Sequence, residues 1–233
     1  MHLLDCKGVA SIVFGSLLCH LIRLPSVGSS IPVRLDRINV DRLAWYRQHI
    51  GKIPLPKIKE SNLRKDGWAD LNGVAFKAAV TRQSSGFFLH LAEKYLVVQD
   101  GLESSMLEVV KNMHKLYGIM WGGPRFFKPP QIDAMKEVVH QFGEHFMRCR
   151  EFCRVNGELS WHITTKVHKM QHLPAMAEIM NPSWVACYAE ESLVGTTTRV
   201  WKQSMHGRYR KTAQHRVLQK RLCGLVLRLE FGL

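Results

Sequence analysis

Apolar residues recur along this chain mostly at three- and four-residue spacing, the period of helices that pack by one face. Residues 1–24 are apolar almost all round, which predicts a helix in the middle of a core, stopped by Pro25. Residues 26–32 read as a Gly/Ser linker, and 36–50 as an amphipathic helix carrying Ile38, Leu43, Trp45, Tyr46 and Ile50. Pro54, Pro56 and several lysines make 51–62 a surface loop. Trp68, Leu71, Val74, Ala75 and Ala78 share a face if 66–82 is helical, and the spacing predicts that it is. Further helices are expected over 87–98 and over 102–120, the second through Met106, Val109, Val110, Met113 and Leu116. A Gly- and Pro-rich loop at 121–130 separates them from a long helix over 131–155. That helix carries Ile132, Met135, Val138, Val139, Phe142, Phe146, Cys149 and Phe152, and Asn156-Gly157 caps its end. No run of alternating β-branched residues and no hairpin turn between two such runs stands out. The expected fold is mainly α: an irregular helical bundle with long loops and few or no strands. Two regions are expected, 1–160 and a C-terminal helical region over 161–233.

Composition narrows the class. At 46% hydrophobic and 22% charged, the 233 residues can bury a proper core. The formal net charge of +14 favours a polyanionic partner. Val9 to Leu24 resembles a signal peptide in hydropathy, but Asp5 and Lys7 precede it, His20 interrupts it, and no small-x-small site follows. It is also too short to span a bilayer, so a soluble, intracellular protein without a membrane partner is expected. The six cysteines are scattered with no C-x-x-C pair, the usage of a reducing compartment. Cys149 and Cys153 could join His162 and His168 at a zinc ion, but that spacing matches no standard finger, and the thiols read as apolar helix-face groups.

Candidate chemistry concentrates in 161–202. His168 and His172 lie at i, i+4, so on a helix they share a face as metal-binding histidines do. The Glu of H-E-x-x-H is missing, which disfavours a zinc protease. The plainer reading has His168 and His172, with Lys166 and Lys169, solvated and touching phosphate. Glu190 and Glu191 follow. Adjacent carboxylates point in different directions on a helix, so at most one can serve a given site. One reading places them at a helix N-terminus, complementing the dipole for about 0.5 kcal/mol; the other aims one at a divalent metal. After them no acidic residue appears until Glu230, while Arg199, Lys202, Arg208, Arg210, Lys211, Arg216, Lys220, Arg221 and Arg228 do. Tyr209 is interleaved with these cations, which suits phosphate contact plus stacking. Val217, Leu218, Leu222, Leu225, Val226 and Leu229 would dock this last helix.

The stretch K-V-H-K-M-Q-H-L-P, ending in E-E-S-L-V-G, resembles the C-terminal end of the RNase H-like catalytic domain of CACTA-type (En/Spm) DDE transposases. The opening M-H-L-L-D-C-K-G-V-A is similar to the segment after that family's second catalytic aspartate. The resemblance implies DNA strand cleavage and transfer by three carboxylates holding two divalent metals. It assigns the third carboxylate to Glu191, four residues before Gly195, and makes the block between a helical insertion. The first two acids would lie upstream of Met1, and Asp5 falls after the expected position. The chain thus reads as the C-terminal half of a transposase-like protein: a fragment, a degenerate copy, or one exon of a longer gene.

Three functions compete at this point. The first is a transposase-derived, nuclear, nucleic-acid-binding helical domain, catalytically incomplete alone and needing no cofactor. Its nucleic acid is expected to be DNA, and self-association is left open. The second is a Mg²⁺-dependent nuclease using Asp5, Glu190 and Glu191. The third is a helical scaffold whose charge only aids solubility.

Overall fold

The computed structural model describes residues 3–4, 8–49, 55–71, 76, 78–97, 99 and 101–185. The chain divides into two compact units, and the one spanning His2–Val185 holds every described residue.

The fold is mainly α. Its helices are α1 (Val9–Leu21), α2 (Ile31–Gln48), α3 (Ala78–Gln83), α4 (Ser85–Tyr95), α5 (Gly101–Gly122), α6 (Pro129–Val155), α7 (Thr165–Met170) and α8 (Leu173–Ile179). Short 3-10 turns lie at Pro25–Val27, Glu60–Asn62 and Pro182–Val185. The two long helices α5 and α6 pack together; α4 lies on α5, and α8 lies on α6. Helix α1 touches α3, α4, α5 and α7 and is buried except at His20, as a helix apolar on every side must be. His20 is the half-buried exception because it meets Glu103 of α5, with Nε2 2.9 Å from Oε1. The other Glu103 oxygen accepts the Val97 N–H. Aromatic rings tie the helices: Phe14 of α1 stacks on Phe88 of α4 at 4.1 Å, and Phe146 of α6 meets Trp161 edge-on at 5.7 Å.

Small residues on α1 let other backbone come close. Leu71 donates its N–H to Ser11 O (3.0 Å), and Trp161 donates its N–H to Ser16 Oγ (2.9 Å). Between them lies Gly15, where a Cβ would stand 2.7 Å from the Asp70 backbone. Residues 69–71 are therefore an extended strip laid across α1. This corrects the helix expected over 66–82. Asp66 and Gly67 have φ of 51° and 83°, the two positive values of a type I′ turn. They join strands β1 (Arg64–Lys65) and β2 (Trp68–Ala69), antiparallel with Arg64 opposite Ala69 and Lys65 opposite Trp68. The Asp-Gly pair was a hairpin signal after all, although neither flank alternates enough to announce a strand. The strip's N–H groups go to Leu159 O (from Ala69, 2.8 Å), Leu63 O (from Asp70, 3.1 Å) and Ser11 O. These remote partners replace the i→i−4 bonds of a helix. Among the described residues of the expected span, helix is present as α3.

Two boundaries near the start also differ from expectation. The first helix begins at Val9 rather than at residue 1: Leu3 O and Leu4 O accept the N–H groups of Val9 (2.9 Å) and Ala10 (2.7 Å). Helix α2 begins at Ile31, with Pro32 in its first turn, where the missing N–H costs nothing. The linker is correspondingly shorter and is clamped by Arg34, whose guanidinium donates to Gly28 O (2.6 Å) and Ile22 O (2.8 Å). Among the apolar members expected on α2, Ile38 and Trp45 are buried but Leu43 is exposed. On α6 the exposed member is Phe152, and Cys153 is buried in its place. Asn156 and Gly157 end α6 as expected, with Gly157 at φ 66°. Residues 161–185 pack in the same unit as α1 to α6. No helix among the described residues is long and apolar enough to cross a membrane.

Candidate nucleic-acid interface

Helices α7 and α8 form a short corner that Pro174 permits, standing in the first turn of α8. Met170, Leu173 and Ala177 are buried on one side of this corner, and α8 packs on α6. The opposite side turns outward. His168, Lys169 and His172 are exposed, and Lys166 is half-buried. The rings of His168 and His172 stand edge to face, 5.1 Å apart. The i, i+4 spacing thus brings the histidines together even though one lies in the last turn of α7 and the other in the turn that follows. Lys136 of α6 pairs with Glu178 of α8 at 2.9 Å, bracing the corner. Between α6 and this corner runs a groove of about 620 Å³, lined in part by Lys136, His140, Glu144 and Gln171.

No group of three His, Cys, Asp or Glu side chains among the described residues could hold a metal ion. His162 lies against Trp68, ring centres 5.0 Å apart. Burial pushes the Cys149 thiol well up, with a further rise from Cys153. The Cys153 thiol is raised to about 11, by burial first and then by the Glu158 carboxylate. Both therefore favour the protonated thiol at neutral pH, the opposite of what a nucleophile needs. Cys149 and Cys153 are expected to resist iodoacetamide in the folded chain at pH 8 and to alkylate once it is denatured. Reaction of folded Cys153 should rise only as pH approaches 11, because the thiolate is the reacting form. Residue-resolved mass spectrometry reads both outcomes.

The remaining candidates lie outside the described residues: Asp5, Glu190, Glu191, Arg199, Lys202, Arg208, Tyr209, Arg210, Lys211, Arg216, Lys220, Arg221 and Arg228. The described part of the expected interface is therefore Lys166, His168, Lys169 and His172.

A second concave region has no counterpart in the sequence reading. Helices α2, α3, α4 and α5 flank a groove of about 750 Å³ lined by Trp45, His49, Arg82, Ser85, His114 and Trp121, among others. The His49 ring stacks on Trp45 at 3.9 Å, and its Nδ1 lies 2.8 Å from Trp45 O. Ser85 Oγ and His114 Nδ1 are 2.9 Å apart, and the Arg82 guanidinium stands 4.6 Å over Trp121. These side chains come from separate helices, so no local spacing could have grouped them.

No family model, curated protein or solved structure matches the chain.

Proposed function

We propose that the chain is a nucleic-acid-binding helical domain of transposase type, catalytically incomplete alone, with DNA as its partner and the nucleus as its place of action. The observation that carries this reading is the outward face of the α7–α8 corner, where Lys169, His168 and His172 stand exposed with Lys166 beside them. A net charge of +14 makes such a face attractive to phosphate, and the cations between Arg199 and Arg228 in the sequence add to it. In the same reading, Glu191 is the third carboxylate of a two-metal site whose other acids come from elsewhere, and Mg²⁺ is the metal of that completed site.

Binding should be steeply salt-dependent, with log K falling by about 0.9 for each phosphate neutralised, plotted against log salt. The double variant Lys166→Ala, Lys169→Ala is expected to reduce that slope by about 2 on duplex DNA. Fluorescence anisotropy over a salt series measures it. A purified chain that binds no nucleic acid at low salt would sink the reading.

A further inference from the structure

We propose that Arg125, Phe126 and Trp184 form a stacking platform for unpaired bases of a single-stranded nucleic acid. The inference rests on the nucleic-acid reading above and adds to it a second surface and the form of strand that surface takes.

The platform joins two loops. One is the turn between α5 and α6, which carries Arg125, Phe126 and Lys128; the other is the 3-10 turn Pro182–Val185, which carries Trp184. The Arg125 guanidinium carbon lies 5.4 Å from the centre of the Phe126 ring and 5.9 Å from that of Trp184. Both rings are 61% exposed. The contrast with Phe14, Phe76, Phe87, Phe88, Phe146 and Trp161, all fully buried, is large. Two large rings held in water beside a cation contribute little to the core, whereas a stacked base would cover them.

The loops are held in place by a buried side chain. Asn181 Nδ2 donates to Met120 O (2.8 Å) and Pro124 O (2.9 Å), and the Asn181 N–H donates to Arg125 O (2.8 Å). Asn181 Oδ1 accepts the Ser183 N–H at 3.0 Å, and Asn181 O accepts the Trp184 N–H at 3.0 Å. One residue therefore fixes the backbone under Arg125 and under Trp184. The loops that carry the two rings are pre-organised, and a ligand need not bear the entropy of ordering them.

The chemistry selects the ligand. Arg125 and the exposed Lys128 call for an anion, and the rings call for flat apolar faces. A nucleic-acid strand supplies both at nucleotide spacing. A duplex does not, because its base faces are already stacked on one another and only groove edges are open. The sugar is not read by ring stacking, so unpaired DNA and RNA share the chemistry.

Anisotropy titrations of the full chain separate the cases. The probes are fluorescein-labelled oligo-dT and oligo-rU of about 12 nucleotides, within the usual site sizes, and a blunt DNA duplex. Phe126→Ala and Trp184→Ala are each expected to weaken single-strand binding about tenfold, with duplex binding unchanged. Trp184→Phe, which keeps a stacking face, should retain most of the affinity. Equal losses on oligo-dT and oligo-rU mean that stacking alone is read; a larger loss on one means that the sugar is also contacted, and either supports the platform. Circular dichroism melts check that the variants stay folded. Unchanged single-strand binding when Phe126→Ala and Trp184→Ala are combined, with strand and duplex both still bound, overturns the platform; the proposed function survives. Equal loss on strand and duplex also overturns it. No binding to any probe overturns both proposals.

Discussion

Replacing Trp161 by alanine is expected to destabilise the His2–Val185 unit by about 3–5 kcal/mol, the range for deleting a large buried aromatic. Trp161 is the largest fully buried side chain among the described residues. It stands edge-on to Phe146 of α6 and hangs by its N–H from Ser16 Oγ of α1, so its removal opens a cavity where two helices meet. Its backbone is in the left-handed region, with φ 53°, which a bulky residue adopts only when its surroundings over-determine it. The buried indole Nε1 meets no hydrogen-bond acceptor among the described residues. Trp161→Phe removes that stranded donor while keeping most of the volume, and is expected to cost less than about 1.5 kcal/mol. Urea unfolding of both variants measures the difference. An alanine variant as stable as the phenylalanine variant would refute the packing role.

Asn181→Asp comes next in size. The amide of Asn181 points two donors at a nest of carbonyls: Met120 O, Pro124 O and, more distantly at 3.4 Å, Gly123 O. A carboxylate there has no donor and sets negative charge against those oxygens in a fully buried place. The expected loss is about 3 kcal/mol or more at neutral pH, since both carbonyl bonds go and a charge is stranded. The sign with pH follows from linkage. The unfolded aspartate titrates normally, while repulsion in the folded state raises the introduced group, so the folded variant binds the extra proton and regains stability as pH falls. The protonated acid also regains one O–H donor. Denaturant midpoints at pH 7 and near pH 4, compared with the parent chain, read this directly. A variant whose deficit stays constant over that range would contradict the carbonyl nest. Because the same amide holds the loops of Arg125 and Trp184, loss of single-strand binding should accompany loss of stability.

The helices were legible where burial repeats at helical spacing. Met106, Val109, Val110, Met113 and Leu116 on α5, and Met135, Val138, Val139, Phe142 and Phe146 on α6, are all buried. The buried character of α1 was readable from the lack of any polar face. The nearness of His168 and His172 was readable too, because a four-residue step brings their rings together. The stretch at 66–71 misled for a physical reason. Trp68 and Leu71 fit a helical stripe, yet the strip's N–H groups find acceptors on α1 and near Leu159, and those acceptors outweigh local preference.

Spacing between neighbours thus set α1, α2 and α4 to α6 and the apolar faces of the long helices, and composition set the excess of positive charge, since each depends on residues within a turn or two, or on composition alone. Contacts over long separations set the rest. Trp161 meets Ser16 across 145 positions, and Asn181 meets Met120 across 61. His49, Ser85 and His114 share a groove from three helices. Arg125 and Trp184 become neighbours because Asn181 and Ser183 tie the loop after α5 to the turn at Pro182–Val185. Such pairings leave no periodic trace in a chain, because they are chosen by which surfaces pack and which buried polar groups must be satisfied.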